Sequence, residues 1–358
     1  MVLLTAILFI GLLLALVLVH EWGHFIAAKK AGCNVEEFGF GFPPRLFSRM
    51  WHGTKYSFNL LPIGGFVKIE GENMDEANPA QTSFAAKSAP WRITILAAGV
   101  AMNMVLAVGL LTVQSGLGSP SVVTEGNAAS LVDLHTYIVD IAANSPAKEA
   151  GVQAFDRIVS IEGEGSPSIA TVQQVTNEHK GGQVTIEIER AGEHKTLEIT
   201  ARANPPEGEG SLGVSLAATG LAKTSWWMAP VVGINRTWQM TGAIVQGFST
   251  LAQQLISGQS LGGSVTGPIG IAVYTNEAAK LGPSYFLEFA AMISINLALI
   301  NILPLPALDG GRILFVLFEV VFRRRIPGKF EGWAHAAGFA LLIGLMVLIT
   351  LKDVKHYF

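Results

Sequence analysis

His20-Glu21-Trp22-Gly23-His24 closes an unbroken apolar run that covers residues 2–19. On a helix, residues four apart share a face, so both imidazoles point the same way and can hold one zinc ion. Glu21 lies beside that face and has the chemistry of a general base acting on a water at the metal. The pattern is H-E-x-x-H, set at the end of a segment with the composition of a membrane helix.

Half of the 358 residues are hydrophobic and only 14% are charged, with a mean hydropathy of +0.43. A soluble globular chain carries about 25% charged residues. The balance points to a polytopic membrane protein with some soluble mass. A net charge of −3 gives no reason to expect nucleic acid. The single cysteine, Cys33, excludes an intramolecular disulfide. It reads as a buried thiol rather than a metal ligand, in keeping with the burial habits of free cysteine. The N-terminal run lacks a basic n-region and a small-residue cleavage site, so it reads as a retained transmembrane helix.

Spans of about 20 apolar residues cross a bilayer. Four are expected, near residues 2–25, 93–117, 286–308 and 334–351. The loop after the first carries Lys29, Lys30, Arg45, Arg49, Lys55, Lys68, Lys87 and Arg92; the loop after the third carries Arg312, Arg323, Arg324, Arg325 and Lys329. The positive-inside rule puts both loops in the cytoplasm, and the two termini and the long middle region outside.

The first loop is more than a linker. Residues 38–44 are apolar, rich in glycine and broken by proline. Residues 56–60 alternate as a strand does, 61–65 read as a turn and 66–69 as the returning strand. The expectation is a small β-hairpin or sheet dipping toward the membrane, with residues 74–88 as a polar connector. Residues 137–203 show the strand, capped helix and hairpin order of a small α+β domain. Within residues 226–256, Ile234, Trp238, Val245, Phe248 and Leu255 share one helical face opposite Gln239, Gln246, Ser249 and Gln253. An interfacial amphipathic helix there keeps the ends of the first and third spans on one side of the membrane. The expected organisation is a transmembrane core over 1–118, an external region over 119–225, an interfacial helix and linker over 226–285, and a second transmembrane core over 286–358.

A catalytic zinc takes three protein ligands. The candidate third is Asp309, in the stretch from Asn301 to Gly311, where charge-derived topology brings it to the depth of His20 and His24. Pro304 and Pro306 interrupt the helix before it and let the chain turn Asp309 inward. Asn296 and Asn301 place amides in an apolar span, where they can bond substrate backbone, steady an oxyanion or join helices. His52, His135, His179, His194, His335 and His356 lack such a setting and are expected to have surface or structural roles.

Together these residues resemble the site-2 proteases, specifically the RseP-like bacterial intramembrane zinc metalloproteases. The likeness rests on His20 to His24, Gly39-Phe40-Gly41, the stretch from Leu61 to Val67, Gly267-Pro268-Ile269-Gly270-Ile271-Ala272, and the stretch from Asn301 to Gly311. The resemblance implies a polytopic α-helical membrane protein of about four transmembrane helices, with a membrane-dipping β-hairpin and an inserted extracytoplasmic α+β PDZ domain. It implies the bacterial cytoplasmic membrane as location and Zn2+ as cofactor, held by His20, His24 and Asp309 with Glu21 as base. Its substrates are expected to be single-pass membrane proteins such as anti-sigma factors, or signal-peptide remnants. The residue 137–203 domain is similar to bacterial PDZ domains, which take extended peptide ends by strand addition. Only one such domain is apparent, where enteric members of the group have two. Either the 56–60 edge, at Leu60, or the 66–69 edge, at Phe66, is expected to hold an unwound substrate segment as an added strand. The alternative is a non-catalytic membrane-anchored PDZ adaptor with a structural zinc, which would need no Glu21. A metal transporter would need polar residues along its spans, and these are mostly apolar.

Overall fold

The computed structural model of the chain describes residues 2–72, 80–123, 131–190, 192–206, 209–258, 266–324 and 326–357. Residues 74–79 of the expected connector, Ala191 of the expected hairpin turn and Arg325 of the second basic loop lie outside them. The elements are α1 (Val2–Lys30), β1 (Val35–Trp51), β2 (Thr54–Ile69), α2 (Ala89–Leu117), β3 (Ser119–Val122), β4 (Leu131–Ile141), α3 (Pro146–Glu149), β5 (Arg157–Ile161) and β6 (Glu164–Gly165). There follow α4 (Ile169–Glu178), β7 (Gln183–Arg190), β8 (Glu193–Thr200), β9 (Val214–Ala222), α5 (Ala229–Ile256), α6 (Pro268–Leu281), α7 (Pro283–Asn301), α8 (Asp309–Phe322) and α9 (Gly328–Tyr357). They form two compact units, one of Met1–Thr112, Pro230–Ala279 and Phe286–Phe358, the other of Val113–Ala229 and Lys280–Tyr285.

Among the described residues, four helices are long and apolar enough to cross a membrane: Leu4–Lys30, Ala89–Leu117, Pro283–Asn301 and Gly328–Val354. These correspond to the four expected spans, and the chain is a polytopic membrane protein. α1 stops where the sequence offers a stop. Gly32 takes a positive φ of 70°, Cys33 N donates to Ala28 O and Gly32 N to Lys29 O, the Schellman closure of a helix. Lys29 and Lys30 complement the carbonyl end. Cys33 is buried against Ala28, Val35 and Phe84, as a thiol without a ligand's role would be.

The third span ends at Asn301, not near residue 308. Pro304 and Pro306 have no N–H to give, and each biases the residue before it away from helical geometry. The loop then folds onto the first turn of α8. A Cβ on Gly310 would stand 2.2 Å from Ile302 O, and one on Gly311 2.2 Å from Leu305 O, so only glycine admits this approach. Asp309 therefore opens α8 rather than closing the span. α8 is anchored to α2 by a buried ion pair, Arg92 to Glu319 at 2.7 Å. Glu319→Leu strips the buried guanidinium of this carboxylate and should destabilise the first unit by about 3 kcal/mol. The double replacement Arg92→Met/Glu319→Leu should recover most of that loss, as read by thermal melting in detergent.

β1 and β2 differ from the expected hairpin. Residues 56–58 do not pair with 66–69. Both stretches flank 37–40 instead: Phe38 faces Tyr56 on one side and Val67 on the other, and Gly39 faces Ser57 and Phe66. Residues 55–58 also pair with 47–50 on their far side. Each long strand is bent, and the pieces lie in the order 65–69, 35–40, 54–59, 45–51. Gly39 and Gly41 look like breakers in sequence, which hid the central segment. In the fold Gly39 sits under the Phe66 ring, where a Cβ would be 2.2 Å from a ring carbon, a close approach that calls for a strand glycine. Glu37 is buried in this sheet and bonded to Arg45 and Lys55. Burial alone would raise its carboxyl, but Ser57, Lys55 and Arg45 outweigh that and hold it below the usual range.

In the second unit one sheet has the order β3-β9-β4-β5-β7-β8, with β6 on β5. Ser145 and Ser168 cap α3 and α4 through their side chains. The core is Ile138, Ile158, Ile161, Ile186, Ile188 and Ile199 from the strands, with Val172 of α4 packed on them. The sheet is wider than the expected 137–203 stretch, because β3 and β9 belong to it.

α5 is not among the four long apolar helices. Its expected apolar face is outward: Ile234, Trp238, Val245 and Leu255 are exposed. The helix packs through Thr237, which is buried, and through Met240 and Ile244 against Ala107, Leu111, Ala291 and Ile295.

Candidate metal centre

His20 and His24 follow from the helical repeat of α1, and Asp309 from the start of α8. The three side chains meet. His20 Nε2 is 3.1 Å and His24 Nε2 3.4 Å from Asp309 Oδ2, and the two Nε2 atoms are 3.2 Å apart. Donors about 2.0–2.1 Å from a tetrahedral zinc lie roughly 3.3 Å from one another. The spacing fits that ion without rearrangement. Both imidazoles are buried, a costly setting for polar rings that lack a partner.

The outer nitrogens are also engaged. His24 Nδ1 donates to Ile95 O at 2.8 Å, and His20 Nδ1 lies 3.2 Å from the Asn103 amide. Between them on the same face of α2 is Gly99, where a Cβ would stand 2.4 Å from His24 Nε2.

A cavity of about 490 Å³ opens on the three residues and on Glu21. Phe66, Val67 and Ile69 line it as well, and Glu72 and Arg312 form an ion pair at its wall. Gly65 lies against Glu21: a Cβ there would be 3.6 Å from Glu21 Cγ. Among the described residues, 65–68 pair with β1 on one side only and present an open edge, while Ile69 is bonded to Glu72. Residues 55–58 are paired on both sides and offer none, which corrects the expectation that 56–60 is an edge. Leu60 is exposed and does not line the cavity. Nor do Asn296 and Asn301: Asn296 donates to Met292 O within its own helix, and Asn301 is the last residue of α7.

Three participants were not evident in the sequence. His335 of α9 lines the cavity and accepts from Ala307 N at 2.7 Å, holding Ala307 at a φ of +77° two residues before Asp309. Its i,i+4 partner Glu331 was the available signal. Asp353 accepts from Gly267 N and Gly270 N, so a carboxylate of α9 caps the start of α6. Asn103 carried no signal beyond being an amide in an apolar span.

The chain is a zinc metalloendopeptidase of the membrane. Comparison with protein families makes the class particular: the model described as Peptidase family M50 matches residues 8–345, and the chain belongs to that family, the site-2 proteases. A relative from Clostridium perfringens (strain 13 / Type A), named as a zinc metalloprotease, is 37% identical over 95% of both chains. The zinc metalloproteases RasP of Oceanobacillus iheyensis and Geobacillus kaustophilus are 30% and 29% identical over 99% and 96% of both chains.

Proposed function

We propose that this protease hydrolyses peptide bonds within or beside the transmembrane segment of single-pass membrane proteins, of the anti-sigma-factor type or remnants of signal peptides. His20, His24 and Asp309 hold the zinc and Glu21 is the general base. The observation that carries the reading is the convergence of three donor atoms at zinc spacing beside Glu21, at the end of an apolar helix. When bound, zinc supplies Lewis-acid polarisation of the scissile carbonyl. Glu21 takes a proton from the attacking water and returns one to the leaving amine.

A helical substrate hides its peptide bonds and must unwind to be cut. The open edge at residues 65–68, with Phe66 on it, takes the unwound segment as an added strand and carries it past Glu21. The cavity, with its Glu72–Arg312 pair, admits water to a site among apolar helices. The basic loops support a reading in which this end of the helices faces the cytoplasm, the membrane is the bacterial inner membrane and the PDZ-type domain faces outward. The second unit acts as that domain and receives extended peptide ends. α5, with its outward apolar face, lies in the membrane interface.

The test is incubation of the detergent-purified protein with a single-pass membrane protein, with product ends mapped by mass spectrometry. The expected cut lies within or beside the apolar segment, is abolished by chelation and is restored by zinc. Cleavage confined to soluble tails, or indifferent to chelation, would sink the reading.

A further inference from the structure

One face of α2 serves both histidines. Ile95, Gly99 and Asn103 recur every four residues along it: the Ile95 carbonyl takes the His24 Nδ1 proton, Gly99 makes room for the two rings, and Asn103 meets His20 Nδ1. Asn103 is fully buried, and its backbone carbonyl accepts from the buried Ser294 hydroxyl of α7 at 2.8 Å. Its side-chain Oδ1 has no hydrogen-bond partner, while its Nδ2 faces the ring nitrogen.

A histidine that binds metal through Nε2 carries its proton on Nδ1 and must donate there. An amide nitrogen opposite it would set donor against donor. A half-turn of the amide exchanges the two atoms, brings Oδ1 to the Nδ1–H and removes the buried orphan. His24 already has this arrangement with a carbonyl in a matching position. We infer that Asn103 is a positioning residue that accepts the Nδ1 proton of His20, fixing the tautomer and aiming the Nε2 lone pair at the zinc. This rests on the assignment of His20 as a ligand.

The experiment compares full-length wild type, Asn103→Leu, Asn103→Asp and His20→Ala. It measures zinc affinity by chelator competition and the visible spectrum of the cobalt-substituted forms. Asn103→Leu keeps the volume without the acceptor and should bind zinc 10–100-fold more weakly, with a shifted cobalt spectrum. Asn103→Asp keeps an acceptor and should restore affinity to within a few-fold of wild type. Wild-type affinity and spectrum in Asn103→Leu, or equal weakening in both Asn103 variants, overturns the inference. Undiminished zinc binding by His20→Ala overturns instead the ligand assignment beneath it.

Discussion

Replacing Glu21 by glutamine lowers cleavage by about 10³-fold or more and leaves one zinc bound per chain. The change is nearly isosteric, so it disturbs neither α1 nor the packing of Gly65 against the side chain. On the role proposed for Glu21, it removes only the ability to take and return a proton. The three converging donor atoms belong to His20, His24 and Asp309, and Glu21 contributes none of them. Zinc content and activity should therefore separate. Zinc assay and single-turnover cleavage on the same preparation decide the matter. If zinc is lost with activity, Glu21 belongs to the metal's ligands; if cleavage persists, the proton is handled elsewhere.

Gly99→Ala is expected to have the next largest effect, through geometry alone. The added methyl would stand 2.4 Å from His24 Nε2 and 2.7 Å from His20 Cε1. Neither ring is free to withdraw, because Ile95 O holds one and Asn103 the other. Overpacking of this kind costs about 1–3 kcal/mol. Spent against the ligands, that is a ten- to hundred-fold loss of zinc affinity, with activity falling in step at limiting zinc. Gly109 lies on the same helix with nothing within 4 Å of a built Cβ. Gly109→Ala should leave zinc affinity within about two-fold, which separates general effects of helix substitution from the effect at the site. Equal behaviour of the two variants would show that α2 does not set the ring positions.

Much of this was legible in the chain because the signals were local. The apolar runs announce the four long helices, and the i,i+4 histidines announce a shared face. Ser145 announces the cap of α3. Asp309 was found because topology, a coarse constraint, brought it to the right depth. What escaped is long-range. The pairing of residues 35–40 with two partners at once depends on Gly39 meeting Phe66 across the sheet, and no window of sequence contains that. Asp353 reads as the polar end of a span until α6 is beside it. Asn103 and His335 act through partners 83 and 28 positions away. Pattern reading has no access to such pairs until the helices are packed.

The separation of the donors along the chain has a consequence for biosynthesis. His20 and His24 leave the ribosome well before Asp309, which stands 285 positions after His24 in the chain (309 − 24). A partly synthesised chain thus holds two of the three donors and has no complete centre. On the proposed ligand set, the centre is completed only when α8 packs on α2 through Glu319 and Arg92.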